Sequence, residues 1–155
     1  MDNLKQYVIS WDEYDIAAHQ IFCKLKDLQF NPDVIIGVSR GGLILGTHLC
    51  HLFEGKPEMG TIYARRHIND AHFSKLIEPK VSMHMLPNLK GKKVLITEDT
   101  IGTGATNSCI KKFLLKKTLK KIMTAVISVQ KDVDLKDCVY YKLNDKIWQV
   151  FPWER

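Results

Sequence analysis

A chain of 155 residues with 45% hydrophobic and 26% charged side chains has the size and composition of one globular domain with its own core. No apolar run approaches the ~20 residues that a membrane-spanning helix needs, and residues 1–5 lack the basic and apolar blocks of a signal peptide, so a cytoplasmic protein is expected. The formal charge of +6 suits attraction of a polyanionic small molecule or of nucleic acid. Cys23, Cys50, Cys109 and Cys138 show neither CxxC spacing nor a nearby His at zinc spacing. Buried, reduced thiols are expected rather than a zinc module or a disulfide framework.

Residues 7–9 read as a short edge strand. Ser10 and Glu13 form a capping-box signature. Trp11, Tyr14, Ala18, Ile21, Phe22, Leu25 and Leu28 then recur at helical spacing and predict an amphipathic helix over 11–28. Asn31-Pro32-Asp33 breaks the chain. Residues 34–38 are fully apolar and mostly β-branched, as suits a central parallel strand. Ser39-Arg40-Gly41-Gly42 follows at once, and Leu43, Ile44, Leu49, Leu52 and Phe53 continue as a helix. The two glycines let backbone N–H groups approach an anion, and Arg40 adds a planar donor fork. Taken alone, this turn serves equally well as a plain strand-to-helix connection.

Residues 54–57 read as a loop and 61–64 as a strand. From 65 to about 85 periodicity is weak and polarity high, which predicts a long mobile loop or a flexible hairpin, either of which could act as a lid. His67, His72 and His84 fit no metal pattern. Residues 94–106 are the most informative stretch. Val94 to Ile96 form a short apolar strand, with Glu98 and Asp99 at its exit. Gly102 and Gly104 supply positive φ and close approach; Thr103 and Thr106 supply hydroxyls. The free N–H groups of the following helix, expected over 105–119, favour a phosphate. The paired lysines Lys111, Lys112, Lys116, Lys117, Lys120 and Lys121 are expected on its solvated face rather than as a nucleic-acid surface. Residues 122–129 form another apolar strand, ending at Gln130 and Lys131. Residues 139–141 and 146–151 are further extended segments. The alternation predicts an α/β fold, a central parallel sheet flanked by helices, with both anion turns at the carboxyl ends of strands, where ligands bind in such sheets.

Glu98-Asp99 followed by Thr103-Gly104-Ala105-Thr106 resembles the PRPP-binding motif of the type I phosphoribosyltransferases. Val38-Ser39-Arg40-Gly41-Gly42-Leu43 is similar to the pyrophosphate loop of their guanine/xanthine branch. The ending Lys146-Ile147-Trp148-Gln149-Val150-Phe151-Pro152-Trp153-Glu154 resembles the C-terminus of the xanthine-guanine enzymes and their relatives. The resemblance implies a single domain over 1–155, with a lid at about 65–85 and a small hood from about 130–155 with N-terminal residues. It implies transfer of a phosphoribosyl group from PRPP to a 6-oxopurine (guanine, xanthine or hypoxanthine), with Mg2+, in a homodimer or homotetramer. Glu98 and Asp99 would face the ribose hydroxyls and the magnesium. Thr103, Gly104, Ala105 and Thr106 would wrap the 5′-phosphate, and Ser39, Arg40, Gly41 and Gly42 the pyrophosphate. Lys131 would hydrogen-bond the oxygen at C6. Trp148 would stack on the base, with the backbone near Gln149 reading its 2-position; a packing role for Trp148 is the alternative. Glu154 would lie near the base or the metal.

One departure stands out. The hypoxanthine, guanine and xanthine enzymes carry an Asp, thought to handle the N7 proton, where this chain has Gly102. Asp70, His72 or Lys75 of the lid could replace it. Otherwise the base is deprotonated unaided, or the chain binds PRPP or a nucleotide without turnover, as a regulator. A pyrimidine or adenine enzyme would tolerate Gly102, but a pyrimidine fits Trp148 poorly.

Overall fold

The computed structural model describes residues 6–67, 76–145 and 147–155. In chain order the elements are β1 (Gln6–Val8), α1 (Trp11–Asp27), β2 (Val34–Val38), α2 (Gly41–Leu52), β3 (Glu58–His67), β4 (Leu76–Met85), β5 (Lys93–Ile101), α3 (Ala105–Leu115), β6 (Lys121–Gln130), β7 (Cys138–Asn144) and β8 (Trp148–Val150), then a short 3-10 helix, Pro152–Glu154. Six strands form one sheet in the order β4-β3-β2-β5-β6-β7. Every neighbouring pair is parallel except β3 with β4, which is antiparallel. The central strand β2 is buried at all five positions. Successive side chains in a strand point to opposite faces. Ile35 and Leu95 therefore join α1 and α2 in one core layer, while Val34, Ile36, Val94 and Ile96 join α3 in the other. The expected parallel sheet with helices on both faces is the observed architecture.

Ser10 caps α1 by accepting the Glu13 N–H at 3.0 Å. The second half of the expected capping box is not formed. The Glu13 carboxylate instead takes the Tyr7 hydroxyl at 2.9 Å and the Lys142 ammonium at 2.8 Å. Lys142 also lies 3.9 Å from the centre of the Tyr7 ring, a cation–π contact. These contacts join β1, α1 and β7. Strand β1 pairs in parallel with β8 in a separate two-stranded sheet, with Tyr7 opposite Gln149. Trp153 stacks on Phe151 and meets Tyr14 edge-on.

Four expectations need correction. Strand β5 runs on through Glu98 and Asp99 to Ile101, because β6 continues to pair with it as far as Val129. Helix α3 stops at Leu115, and Thr118 takes a φ of 57°. The lysines are therefore divided among helix, turn and strand. Lys111 donates to the Lys136 carbonyl, while Lys117 and Lys121 lie over the rings of Phe113 and Phe30. Strand β7 belongs to the edge of the main sheet, which leaves only β8, β1 and the 3-10 helix to form a hood. Cys23 is exposed; Cys50 is buried, Cys109 and Cys138 are part-buried, and all four are free. The segment from 65 to 85 contributes to an antiparallel hairpin of two ten-residue strands, in agreement with the hairpin alternative. Asp70, His72 and Lys75 lie outside the described residues. Among those residues no helix is long and apolar enough to cross a membrane.

Removing the cap with Ser10→Ala is expected to lower the unfolding free energy by about 1 kcal/mol, read as a shift in the urea midpoint. An unchanged midpoint would mean that the Ser10–Glu13 bond does not hold the start of α1 in solution.

Candidate active site

Strands β2 and β5 are neighbours, so the turns after them open side by side. After β2 the chain enters α2 almost without a loop. The Ser39 hydroxyl lies 2.8 Å from that of Thr61 on β3. Thr61 itself donates to the Gly37 carbonyl at 3.1 Å, which leaves Ser39 as the donor between the two hydroxyls. Ser39 N–H is bonded to the Ile62 carbonyl. Arg40, at the N-cap of α2, is exposed. The start of α2 presses directly on β5. A Cβ at Gly41 would overlap the Asp99 carboxylate, and one at Gly42 would overlap the Thr97 carbonyl. The Thr97 hydroxyl donates to the Gly42 carbonyl at 2.7 Å. The two glycines thus serve close packing of helix on strand as well as any anion.

Because β5 continues as a strand, its acidic pair divides between the two faces. Asp99 lies on the α2 side against Gly41, with its Oδ1 accepting the Thr100 N–H at 2.7 Å. Glu98 points to the α3 side, where Asn107 donates to it at 2.9 Å and the Thr124 hydroxyl completes a buried cluster. Burial pushes the Glu98 carboxyl up to about 7; Asn107 opposes this and the charge of Asp99 adds to it. Burial is also the main cause that raises Asp99. The Thr100 amide opposes the rise, the charge of Glu154 adds to it, and the Arg40 guanidinium opposes it. Arg40, Asp99 and Glu154 therefore share one electrostatic neighbourhood.

The turn after β5 holds Gly102, Thr103, Gly104, Ala105 and Thr106. Gly104, at the N-cap of α3, has a φ of 78°, a conformation that favours glycine. Gly102 does not take positive φ, contrary to expectation, and a Cβ there would meet nothing within 4 Å. The Thr103 hydroxyl faces the Ala105 N–H at 3.4 Å. Val133 and Leu135, from the β6–β7 connection, lie over Gly104.

The base-binding candidates are less closely gathered. Lys131 pairs with Asp145 at 3.1 Å, both side chains being well exposed. Beside it is a cavity of ≈370 Å³ lined by Asp132, Val133, Leu135, Cys138 and Tyr140 among others. Trp148 is on β8 and exposed, outside that lining. Gln149 is buried, and its Oε1 has no hydrogen-bond partner. Glu154 caps the last turn by accepting the Phe151 N–H at 2.8 Å. Sequence reasoning missed Thr97 and Asn107. A signal for Asn107 existed: it begins the stripe Asn107, Ile110, Leu114 on the buried face of α3, where a polar residue needs a partner.

The raised Glu98 carboxyl has a definite consequence for stability. A folded-state value of about 7 against an ordinary 4.5 means that the native state holds the proton longer. Stability should then fall as pH rises from about 4.5 to 7. Glu98→Gln removes that dependence while its amide oxygen can still accept from Asn107. It is expected to stabilise the fold by up to about 3 kcal/mol at pH 8 and by almost nothing near pH 4, as measured by urea denaturation at both. Equal effects at the two pH values would remove the buried-carboxyl assignment.

A family model described as a phosphoribosyl transferase domain matches residues 4–154. Among solved structures the chain is similar to a purine phosphoribosyltransferase from Pyrococcus horikoshii Ot3, at 29% identity over 97% of this chain and 95% of that one, with a TM-score of 0.80. A xanthine-guanine-hypoxanthine phosphoribosyltransferase from Helicobacter pylori shares the fold at 18% identity, over 96% of this chain and 93% of that one, with a TM-score of 0.73. A hypothetical protein from Neisseria gonorrhoeae with bound ppGpp shares it at 18% identity, over 100% and 92%, with a TM-score of 0.83. The family match extends through the turns after β2 and β5 and nearly the whole chain, and on that ground this protein belongs to the phosphoribosyltransferase family.

Proposed function

We propose that the protein transfers the phosphoribosyl group of PRPP to a 6-oxopurine, forming the bond from ribose C1′ to a purine nitrogen and breaking the bond from C1′ to pyrophosphate. The observation that carries this reading is the side-by-side opening of the two anion turns, with Asp99 packed against Gly41. One turn takes the leaving pyrophosphate and the other the 5′-phosphate, with the ribose spanning the gap between them.

In this reading the backbone of Gly41 and Gly42 and the Arg40 guanidinium bind pyrophosphate and stabilise the charge it gains on leaving. The α3 N-terminus, with Thr103, Gly104, Ala105 and Thr106, holds the 5′-phosphate. Ser39, tied to β3 through Thr61, fixes the shape of the first turn. Asp99 is assigned to the ribose hydroxyls; Glu98, turned to the α3 side and bonded to Asn107, is the weaker candidate for that role. Lys131 donates to the C6 oxygen, which disfavours adenine because an ammonium only donates. Trp148 supplies a face for the base, worth ~1–3 kcal/mol where measured in nucleic-acid systems. Val133 and Leu135 help to exclude water, a competing nucleophile.

Magnesium fits this donor set. Asp99 and Glu154 are oxygen donors close enough to repel, and a hard dication relieves that repulsion. Asp99 and Glu154 would hold it; Glu98, committed to Asn107, is the weaker candidate of the original pair. When bound, the ion would neutralise charge on the pyrophosphate. A cytoplasmic homodimer or homotetramer is the form we assign to the protein.

A second reading, binding of PRPP or a nucleotide without turnover, draws on Gly102, where no carboxylate is present to take the purine proton. One experiment separates the two: pyrophosphate release from Mg2+-PRPP, with guanine, xanthine, hypoxanthine, adenine and orotate supplied singly. Release dependent on a 6-oxopurine is expected. Release with adenine or orotate alone would remove the roles of Lys131 and Trp148, and PRPP binding without release under any base would favour the regulator. The open space at Gly102 allows a second test. Gly102→Asp is expected to raise purine turnover, by as much as the ~10²–10⁴-fold that general acid–base groups contribute. No gain in a folded variant would place the proton acceptor elsewhere or point to another substrate.

A further inference from the structure

On the face of the molecule where α1 packs on α2, three metal-ligating side chains converge. Asp15 and His19 lie one turn apart on α1, and His48 faces them from α2. Asp15 Oδ1 is 3.7 Å from His48 Nε2 and 3.5 Å from His19 Nδ1. The ligand atoms of all three lie within 4.8 Å of one another. Bonds of about 2.0–2.1 Å to a tetrahedral zinc ion place its donors about 3.3 Å apart, so the two spacings from Asp15 are close to those of a formed site. The two imidazole rings meet edge to face at 5.4 Å between centroids. His51, one turn beyond His48, is near enough for its charge to act on it.

The geometry points to a binding site for a divalent first-row transition ion, of which zinc is the reference case, formed by Asp15, His19 and His48 and separate from the phosphoribosyl site. Two imidazoles and one carboxylate suit zinc, cobalt or nickel rather than magnesium, which prefers oxygen donors. The helical spacing supports the same conclusion. Ligands four residues apart on α1 share one face, and the third comes from a second helix, so the ion would clamp α1 to α2. His48 is held in place by the Tyr14 ring, 5.6 Å away. Only His19 must adjust, by turning Nδ1 from the Asp15 carbonyl, which it meets at 2.9 Å, towards the ion. The site lies about two turns along α2 from Gly41. Its metal would stiffen the helix that presents the first anion turn without touching substrate.

The test is zinc binding to metal-stripped protein without magnesium, by calorimetry, with cobalt as a spectroscopic probe of imidazole-rich tetrahedral coordination. One equivalent of zinc per chain and a higher melting temperature with zinc are expected. Groups that merely orient ligands cost roughly 10–100-fold in affinity when removed, so losing a ligand should cost at least about 100-fold. Both His48→Ala and Asp15→Asn are predicted to show that loss; Asp15 is exposed, so its variant tests the site even if His48→Ala folds poorly. A variant carrying Glu98→Ala and Asp99→Ala should bind zinc as the unaltered chain does. The proposal is overturned by absence of zinc binding, by unchanged affinity in the Asp15 and His48 variants, or by loss in the Glu98/Asp99 variant.

Discussion

The contact between the first turn of α2 and the middle of β5 controls the geometry of this molecule. Gly41 and Gly42 leave no room for even a methyl group against Asp99 and the Thr97 carbonyl. The helix can therefore approach the strand at backbone distance, and Thr97 secures it there through the Gly42 carbonyl. Pairing of β2 with β5 sets the turns after them side by side, and this approach seats the first turn of α2 against Asp99. The mostly parallel sheet supplies the frame, but this single contact sets the distance between the two ends of the site.

The same close approach shapes the electrostatics. Asp99 is enclosed by α2 on one side and has Glu154 as a neighbour on the other, with Arg40 as the nearest opposing charge. Glu98, one residue earlier and on the opposite face, is enclosed by α3 and bound by Asn107. Two adjacent carboxyls are thereby given different work. One lies against the start of α2 among the charges of Arg40 and Glu154, a setting suited to a cation or a sugar hydroxyl. The other sits in a polar pocket within the α3 core layer, where ionisation is costly. Strand periodicity, rather than any special loop, produces this division.

Much of the architecture could be read from local pattern. The fully apolar run at 34–38 announced a central parallel strand, and glycines directly after strands announced the turns. What the sequence did not reveal depended on partners distant in the chain. Glu98 and Asp99 look like the end of a strand, yet β5 continues because ten residues of β6 are available to pair with it. Gly102 looked like a residue needed for positive φ, but that requirement falls on Gly104 alone within this turn. Glu13 matched a capping box, but a lysine 129 residues away competes for its carboxylate. Asp15 and His19 share one face of α1, and only α2 brings His48 beside them. In each case the missing information was the identity of a neighbour.

The pairing of β1 with β8 has a consequence for how the chain is made. Gln6 lies opposite Trp148, so the chain must leave the ribosome at least through β8 before that two-stranded sheet can close. Strands β2, β3 and β5 and their helices can assemble during synthesis, while residues 6–9 wait for a partner not yet translated. The exposed Tyr7 and Val8 are apolar surface on a strand without its mate throughout that interval. Newly made chains would thus form the turns after β2 and β5 before the β1–β8 pair that carries Trp148.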